Sequence, residues 1–364
     1  MGRFAALFLA LLLMCGTVPA QAVSTSAASA ILVEAESGRV LFAQNQHEKR
    51  PIASITKLMT ALLVAEHTPD FGELVTVPYE ATLAEGSSLY LKAGEKLSIE
   101  ELFFGLMLHS GNDAAIALAV HLCGSTARFV AAMNARAGEL GMKNTHFATP
   151  NGLVDTDNYS TAYDMSLLAR ACGDNELVAA VMGTKTVTFG PRTFVNHNRL
   201  LWRYEGCTGM KTGYTELAGR TLVSCATRGG QTLIAVTLHD RNDWQDHAKL
   251  LDYGFANFPR IQLSRTGKLC RRVAVGGSLI PTVLVATEGD AFYPLTAADR
   301  VTARWDLPPH VTAPVTAGQR LGKLTYLLDG VPIASTNLVA ATSAPDNRAN
   351  AGSRWQNSLK IFGK

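Results

Sequence analysis

The chain has 364 residues, 47% hydrophobic and 17% charged, with a formal net charge of +3. That size and apolar content support one large core and a smaller second domain. The near balance of charge excludes the basic excess of a nucleic-acid binder, and there is no acidic tail.

In chain order, residues 1–22 read as an export signal. Arg3 gives a positive start, and Phe4 to Met14 is an apolar run too short to span a bilayer. Ala20-Gln21-Ala22 offers small residues at the cleavage position. Cys15 would suit a lipoprotein, but Met14 before it is large where a small residue is wanted. Residues 31–45, ILVEAESGRVLFAQN, form two apolar runs around Ser37-Gly38 and predict a hairpin. From Ser54 the pattern turns helical, with Leu58, Leu62 and Ala65 at steps of four and three. Further helices are expected at about 99–109, 113–122, 125–139 and 161–172, the first opened by a capping box at Ser98-Ile-Glu-Glu101.

Strand signals return after about residue 184. RTLVSCATRGGQTLIAVTLHD reads as two strands joined by Gly229-Gly230, and Asp243 to Phe255 as a helix. Beyond Phe258-Pro259, residues 260–342 are short strand-like runs with a hairpin at Asp329-Gly330, the pattern of a small β-sandwich. Residues 343–353 are a polar linker. The last residues, RWQNSLKIFGK, place Trp355, Leu359 and Phe362 on one helical face with Arg354, Lys360 and Lys364 around it. That fits a helix lying in a membrane surface, the alternative being a tail docked on its own domain. The expected division is therefore a signal (1–22), a mixed α/β catalytic domain (23–258), an all-β domain (259–342), and a linker with an amphipathic helix (343–364).

Beyond the signal stand five cysteines, Cys123, Cys172, Cys207, Cys225 and Cys270, an odd and widely spaced set that does not suggest a disulfide framework. Cys207 and Cys225 lie near one another in the expected strands, so a cross-strand bridge is a hypothesis to test. Nine histidines include no H-E-x-x-H pair, and no C-x-x-C occurs, so a metal site is not expected. His109 reads as a packing residue, and Asn158-Tyr-Ser160 as an unused glycosylation acceptor.

The chemistry starts at IASITKLMTALLVAE. Ser54 and Lys57 are three apart, which puts both on one helical face. A serine at the positive end of a helix, next to a lysine that burial and other cations push toward its neutral form, is an activated nucleophile with its base. S-x-x-K alone also fits a capping serine beside a solvated lysine. Two later stretches decide between them: Ser110-Gly111-Asn112 in LHSGNDAA, and Lys211-Thr212-Gly213 in CTGMKTGYTELAG. A second S-x-N, Ser335-Thr336-Asn337, falls in the β region after the lysine-threonine-glycine and is set aside.

Serine-x-x-lysine, serine-x-asparagine and lysine-threonine-glycine, in that order, are the active-site set of the penicillin-recognising serine enzymes. ILVEAESGRVLFAQNQHEKRPIASITKLMTALLV, HSGNDAA, MKNTHFATPNGL, YSTAYDM and MKTGYTELAGRTLV extend the likeness over about residues 30–258. This part of the chain resembles the D-alanyl-D-alanine carboxypeptidases, the low-molecular-mass penicillin-binding proteins. The resemblance implies a β-lactamase/transpeptidase-like domain with an antiparallel sheet and a helical block, followed by the β domain. It implies removal of the last D-alanine from peptidoglycan stem peptides through an acyl-enzyme on Ser54, without metal or cofactor, on the extracytoplasmic face of the membrane. β-Lactams would acylate the same serine.

By that resemblance Ser54 is the nucleophile, Lys57 the base and Ser110 the proton relay. Asn112 would hold a substrate amide, Lys211 would contact substrate and keep Lys57 deprotonated, and Thr212 would bind the terminal carboxylate. Gly213 would let substrate lie flat against its strand, and the N–H groups of Ser54 and Tyr214 would form the oxyanion hole. The family's carboxylate-facing arginine is assigned to Arg241, whose alternative is a surface arginine beside Asp240 and Asp243. A class A β-lactamase shares the three motifs, but its E-x-x-L-N signature is missing, since no Leu-Asn dipeptide occurs. An endopeptidase would need the same residues in a more open cleft. An inactive wall-binding scaffold would show eroded motifs, and all three are intact.

Overall fold

The computed structural model describes residues 23–153 and 157–348. The expected signal at 1–22 and the expected amphipathic helix at 354–364 lie outside the described residues.

The first domain is built on an antiparallel sheet. Its strands run in the order Thr212–Thr215, Gly219–Arg228, Gln231–Leu238, Ser29–Glu34, Val40–Gln44, with Cys207–Gly209 also pairing to Gly219–Arg228. All six residues of Ser29–Glu34 are buried, because both faces of the sheet are covered. Alternation sorts them: Ile31 and Val33 join the larger core under the helical block, whereas Leu32 faces the cluster built with Leu250 and Leu251 of the helix Asp243–Asn257. The same alternation places Val223, Cys225, Ile234 and Val236 on the helical-block face and Ala226, Leu233 and Ala235 on the other. Residues 45–206 connect the edge strand Val40–Gln44 to Cys207–Gly209 and Thr212–Thr215 at the other side of the sheet, so the helical block is in effect one long crossover.

The helices Ile99–Leu108, Asn112–Cys123, Thr126–Glu139 and Ala162–Asp174 match the expected spans. The Ser98 hydroxyl accepts from the Glu101 amide at 3.1 Å, the expected cap. A further helix, Glu176–Gly183, is eight residues long and carries little periodicity of its own; the Asn175 side chain caps it by accepting from the amides of Leu177 and Val178.

The bridge between Cys207 and Cys225 does not form; both thiols are free. Cys207 pairs with Ala226, whose side chain points to the face opposite Cys225. The pleat thus separates two sulfurs that sequence proximity had placed together.

The second domain is β-rich. One six-stranded sheet runs Val301–Asp306, Arg320–Leu328, Val331–Ala340, Thr282–Thr287, Leu269–Gly276, His310–Thr312, and a separate ribbon pairs Arg260–Ser264 with Ala291–Pro294. Two register shifts in the long Arg320–Leu328/Val331–Ala340 hairpin bend the sheet. Val273, Val275, Val283, Val285, Leu324 and Leu338 form its aliphatic core. Arg39 ties the domains together. Its guanidinium makes two bonds to Asp299, at 2.8 and 3.1 Å, donates to the Pro294 carbonyl, and lies over the rings of Phe258 and Tyr293. The bonds from Arg39 hold the Asp299 carboxyl down at about 2.

Candidate active site

Ser54 sits in a 3₁₀ turn, Ala53–Thr56, that leads into the α-helix Lys57–His67. In a 3₁₀ turn residues three apart eclipse, which brings Lys57 back over Ser54. The Lys57 ammonium nitrogen is 3.0 Å from Ser54 Oγ, 2.7 Å from Asn112 Oδ1 and 2.7 Å from the Asn151 carbonyl. Lys57 is completely buried. Burial first, and the charge of Lys211 second, drive its pKa well below the ordinary lysine value, with Asp113 opposing.

The turn is held by close backbone contacts. Ala53 has φ +50°, a strained value for a residue with a Cβ. Gly152, at φ +81°, passes so near that a Cβ there would lie 2.1 Å from the Ala53 carbonyl oxygen and 2.7 Å from Thr56 Oγ1. Thr60 Oγ1 donates to the Pro150 carbonyl, which fixes the same TPNG loop on the helix. The TPNG loop thereby aims the Asn151 carbonyl at Lys57. The stretch was visible in the sequence, but nothing in its residue types says that a main-chain oxygen is the functional group.

Ser110 lies between the helices Ile99–Leu108 and Asn112–Cys123 with φ +64°. This left-handed corner directs a nearly buried hydroxyl to the cleft wall. Asn112 is turned inward instead: Oδ1 accepts from Lys57, and Nδ2 donates to the Glu85 carbonyl at 2.6 Å. Both ends of the amide are engaged inside the protein, so its contact is with the lysine rather than with an open cleft. Next to it, buried Asp113 accepts from the amides of Leu89 and Leu91 and from the Ser88 hydroxyl, pinning the loop that brings Ser87 to the cleft.

Opposite the turn runs the edge strand Thr212–Thr215. Lys211 is buried behind it, and its ammonium donates to the Thr212 carbonyl at 3.0 Å. Burial pulls its pKa down to about 7. Thr212, Gly213 and Tyr214 line the cleft. Gly213 has a second reason to be glycine: a Cβ would stand 2.4 Å from Thr221 Oγ1 and 3.0 Å from the Ser54 amide nitrogen. The strand and the turn carrying Ser54 can approach only because that atom is missing.

The cleft has a volume of about 740 Å³ and is also lined by His197, Trp202, Arg220 and Trp244. Arg241 is exposed and is not among its lining residues. Two arginines line the wall, Arg199 and Arg220, and Arg220 is the one directly across the strand pair from Tyr214. Its Nε donates to Asp243 Oδ2 at 3.0 Å and its Nη2 lies 2.9 Å from Asp243 Oδ1, with the guanidinium 5.6 Å from the Trp244 ring. A flexible exposed arginine becomes a fixed fork in this way. The sequence reading missed it because GRTLV is a strand pattern and its pairing partner, Asp243, is 23 residues away. His197 packs against His109 with ring centroids 5.4 Å apart. Burial, then Lys211, pull His197 down to about 4 and keep it neutral. His247 is a decoy: it is buried between Ser224 and Thr237, 2.6 and 2.9 Å away, out of reach of substrate.

A serine hydroxyl within 3.0 Å of a buried amine therefore shares one cleft with an edge strand. Comparisons with known proteins identify the family. The family model described as D-alanyl-D-alanine carboxypeptidase matches residues 16–242, and the one described as the C-terminal domain of penicillin-binding protein 5 matches residues 262–345. The chain is 33% identical over 330 residues to the D-alanyl-D-alanine carboxypeptidase DacF of Bacillus subtilis, covering 86% of this chain and 85% of that protein. It is 34% identical over 319 residues to DacD of Escherichia coli, covering 82% and 81%. Among solved structures, penicillin binding protein 5 of Haemophilus influenzae superposes with a TM-score of 0.73 at 31% identity, over 89% of this chain and 99% of that one. PBP3 of Streptococcus pneumoniae gives 0.76 at 25% identity, over 88% and 100%. The chain belongs to the D-alanyl-D-alanine carboxypeptidase family.

Proposed function

We propose that this enzyme, a serine-type D-Ala-D-Ala carboxypeptidase, works through an acyl-enzyme on Ser54 with Lys57 as its base. The observation that carries the assignment is the set of partners around Lys57. A neutral amine has two hydrogens and one lone pair. Asn112 Oδ1 and the Asn151 carbonyl, both at 2.7 Å, take the two hydrogens. The lone pair is then left for the Ser54 hydroxyl at 3.0 Å.

Lys57 takes the Ser54 proton as Oγ bonds to the carbonyl carbon of the penultimate D-alanine. The developing oxyanion lies toward the amides of Ser54 and Tyr214, where one donor is typically worth ~100-fold in rate. Ser110 passes a proton to the leaving nitrogen, the C–N bond breaks, and free D-alanine departs. Water then attacks the ester by the reverse proton path and regenerates Ser54. Thr212 and the Arg220 fork bind the terminal carboxylate; this reading gives Arg220 the role that the sequence assigned to Arg241. A β-lactam amide enters the same path and stops at the ester.

Export through residues 1–22, the domain boundaries at 258/259 and 342/343, and a membrane-surface role for residues 354–364 belong to the same reading. They are supported by the charge and hydropathy pattern of those segments. Incubation with a D-Ala-D-Ala-terminated pentapeptide should give a tetrapeptide and D-alanine by mass. A labelled penicillin should modify Ser54. Turnover of the penicillin without peptide cleavage would refute the assignment.

A further inference from the structure

We infer that the turn joining Leu269–Gly276 to Thr282–Thr287 inserts Leu279 and Ile280 into the interfacial layer of a lipid bilayer. This rests on the reading of residues 354–364 as a membrane-surface segment, and adds a second contact that belongs to the folded domain.

The turn exposes its apolar residues. Leu279 is 82% exposed and Ile280 41%. The turn is nevertheless tied down: Gly277 takes φ +80°, the Ile280 amide donates to Ser278 Oγ at 3.1 Å, and the Leu279 amide donates to Asn347 Oδ1 at 3.0 Å. A turn fixed by polar bonds and holding out two aliphatic side chains gains nothing for folding, since those side chains join no core cluster. From Val273 to Thr287 no residue is charged. Immersing Leu279 and Ile280 therefore buries no charge of the tip itself, and the nearest ion pair, Arg348–Asp346, sits beside Gly277 at the base of the turn.

The place where the chain leaves the domain names the occupant. The Asn347 amide donates to the Gly277 carbonyl at 3.0 Å, and Arg348 Nη2 donates to the Ala313 carbonyl at 3.3 Å, so the last described residues are bonded to this turn and its neighbour. Seven residues on stands Trp355, within ~25 Å of Arg348 for a fully extended chain. Arg348 is paired with Asp346 at 2.7 Å, but residues 349–364 contain Arg354, Lys360 and Lys364 and no acidic residue, the complement of an anionic lipid surface. The turn lies at the end of its strands away from the ribbon Arg260–Ser264/Ala291–Pro294, which adjoins the catalytic domain. Tail and tip would thus meet one surface while the cleft-bearing domain stands off it.

The test is sedimentation of the full chain with phosphatidylethanolamine/phosphatidylglycerol vesicles at low and high salt. It compares the parent, a Leu279→Asp/Ile280→Asp double variant, and a Trp355→Glu/Phe362→Glu double variant. Penicillin labelling reports that the catalytic domain is folded, and an unchanged far-UV circular dichroism spectrum reports that the β domain is. The tip variant should bind about tenfold more weakly or worse, because burying one aliphatic side chain alone is worth about that factor. Its deficit should persist at high salt, where the contribution of the basic residues is screened. Equal vesicle affinity of parent and tip variant at both salts overturns the tip contact. If the tail variant alone loses binding, the tail reading stands and the tip falls; if the parent does not bind, both fall. Stronger binding by the tip variant would mean that the patch covers the tail. Unchanged vesicle binding with loss of self-association would assign the patch to a second copy. Either result refutes the proposal.

Discussion

The two domains place their polar groups in opposite ways. Around the cleft, Lys57, Asn112, Asp113 and Lys211 are buried, and Ala53 and Ser110 hold left-handed backbone. The core of the β domain is aliphatic, and the strained or charged features of that domain lie at its turns and surface. Buried charge and strain cost stability, and they persist where the surroundings over-determine them. Here they mark the domain that carries the cleft, whereas the other domain is a scaffold on which Leu279, 82% exposed at the tip of a turn, stands out.

Five substitutions sharpen that contrast. The largest effect is expected from Ser54→Ala. Peptide hydrolysis should fall by at least ~10⁴-fold and penicillin labelling should vanish, with an unchanged circular dichroism spectrum. Labelling that survives would name another nucleophile. Gly213→Ala comes next. The new Cβ must push the edge strand away from Thr221 and the Ser54 amide, so kcat/KM should drop about 100-fold while the protein stays folded. Activity within a few-fold of the parent would mean that the strand yields at no cost.

Arg220→Ala should raise KM for a free carboxyl terminus by about 10- to 100-fold, the worth of a charged hydrogen bond, and barely alter cleavage of an amidated terminus. Arg241→Ala should change neither. The reverse pattern would return the carboxylate to Arg241. The smallest effect on activity belongs to Leu338→Ala in the β-domain core, which should lower stability by about 2–5 kcal/mol while leaving the acylation rate of the folded enzyme intact.

The cleft should also have its own pH signature. Lys57 accepts a proton only when neutral, so kcat/KM falls as pH drops through its lowered pKa. Lys211 is one cause of that lowering. Replacing Lys211 with Met removes a neighbouring positive charge, which raises the Lys57 pKa and moves the acid limb to higher pH. An unmoved limb in the pH–rate profile would show that burial alone sets Lys57.

Much of this was legible in the chain. Periodicity gave the main helices, the Gly229-Gly230 hairpin and the change to β structure after Phe258, because side-chain alternation and turn chemistry are local. Three motifs brought Ser54, Ser110 and Lys211 to attention because residue type there fixes the reactive atom. Composition also set residues 1–22 and 354–364 apart as an expected export segment and amphipathic tail, both outside the described residues. Tertiary structure alone decided the rest. Whether a thiol faces its neighbour depends on the pleat, so Cys207 and Cys225 part. Whether an arginine faces the cleft depends on where its strand or turn lies in the fold, so Arg220 lines it and Arg241 does not. The partner that orients Lys57 is in part the carbonyl of Asn151, and every residue has a carbonyl. Only the folded path of the chain determines which one points at the amine.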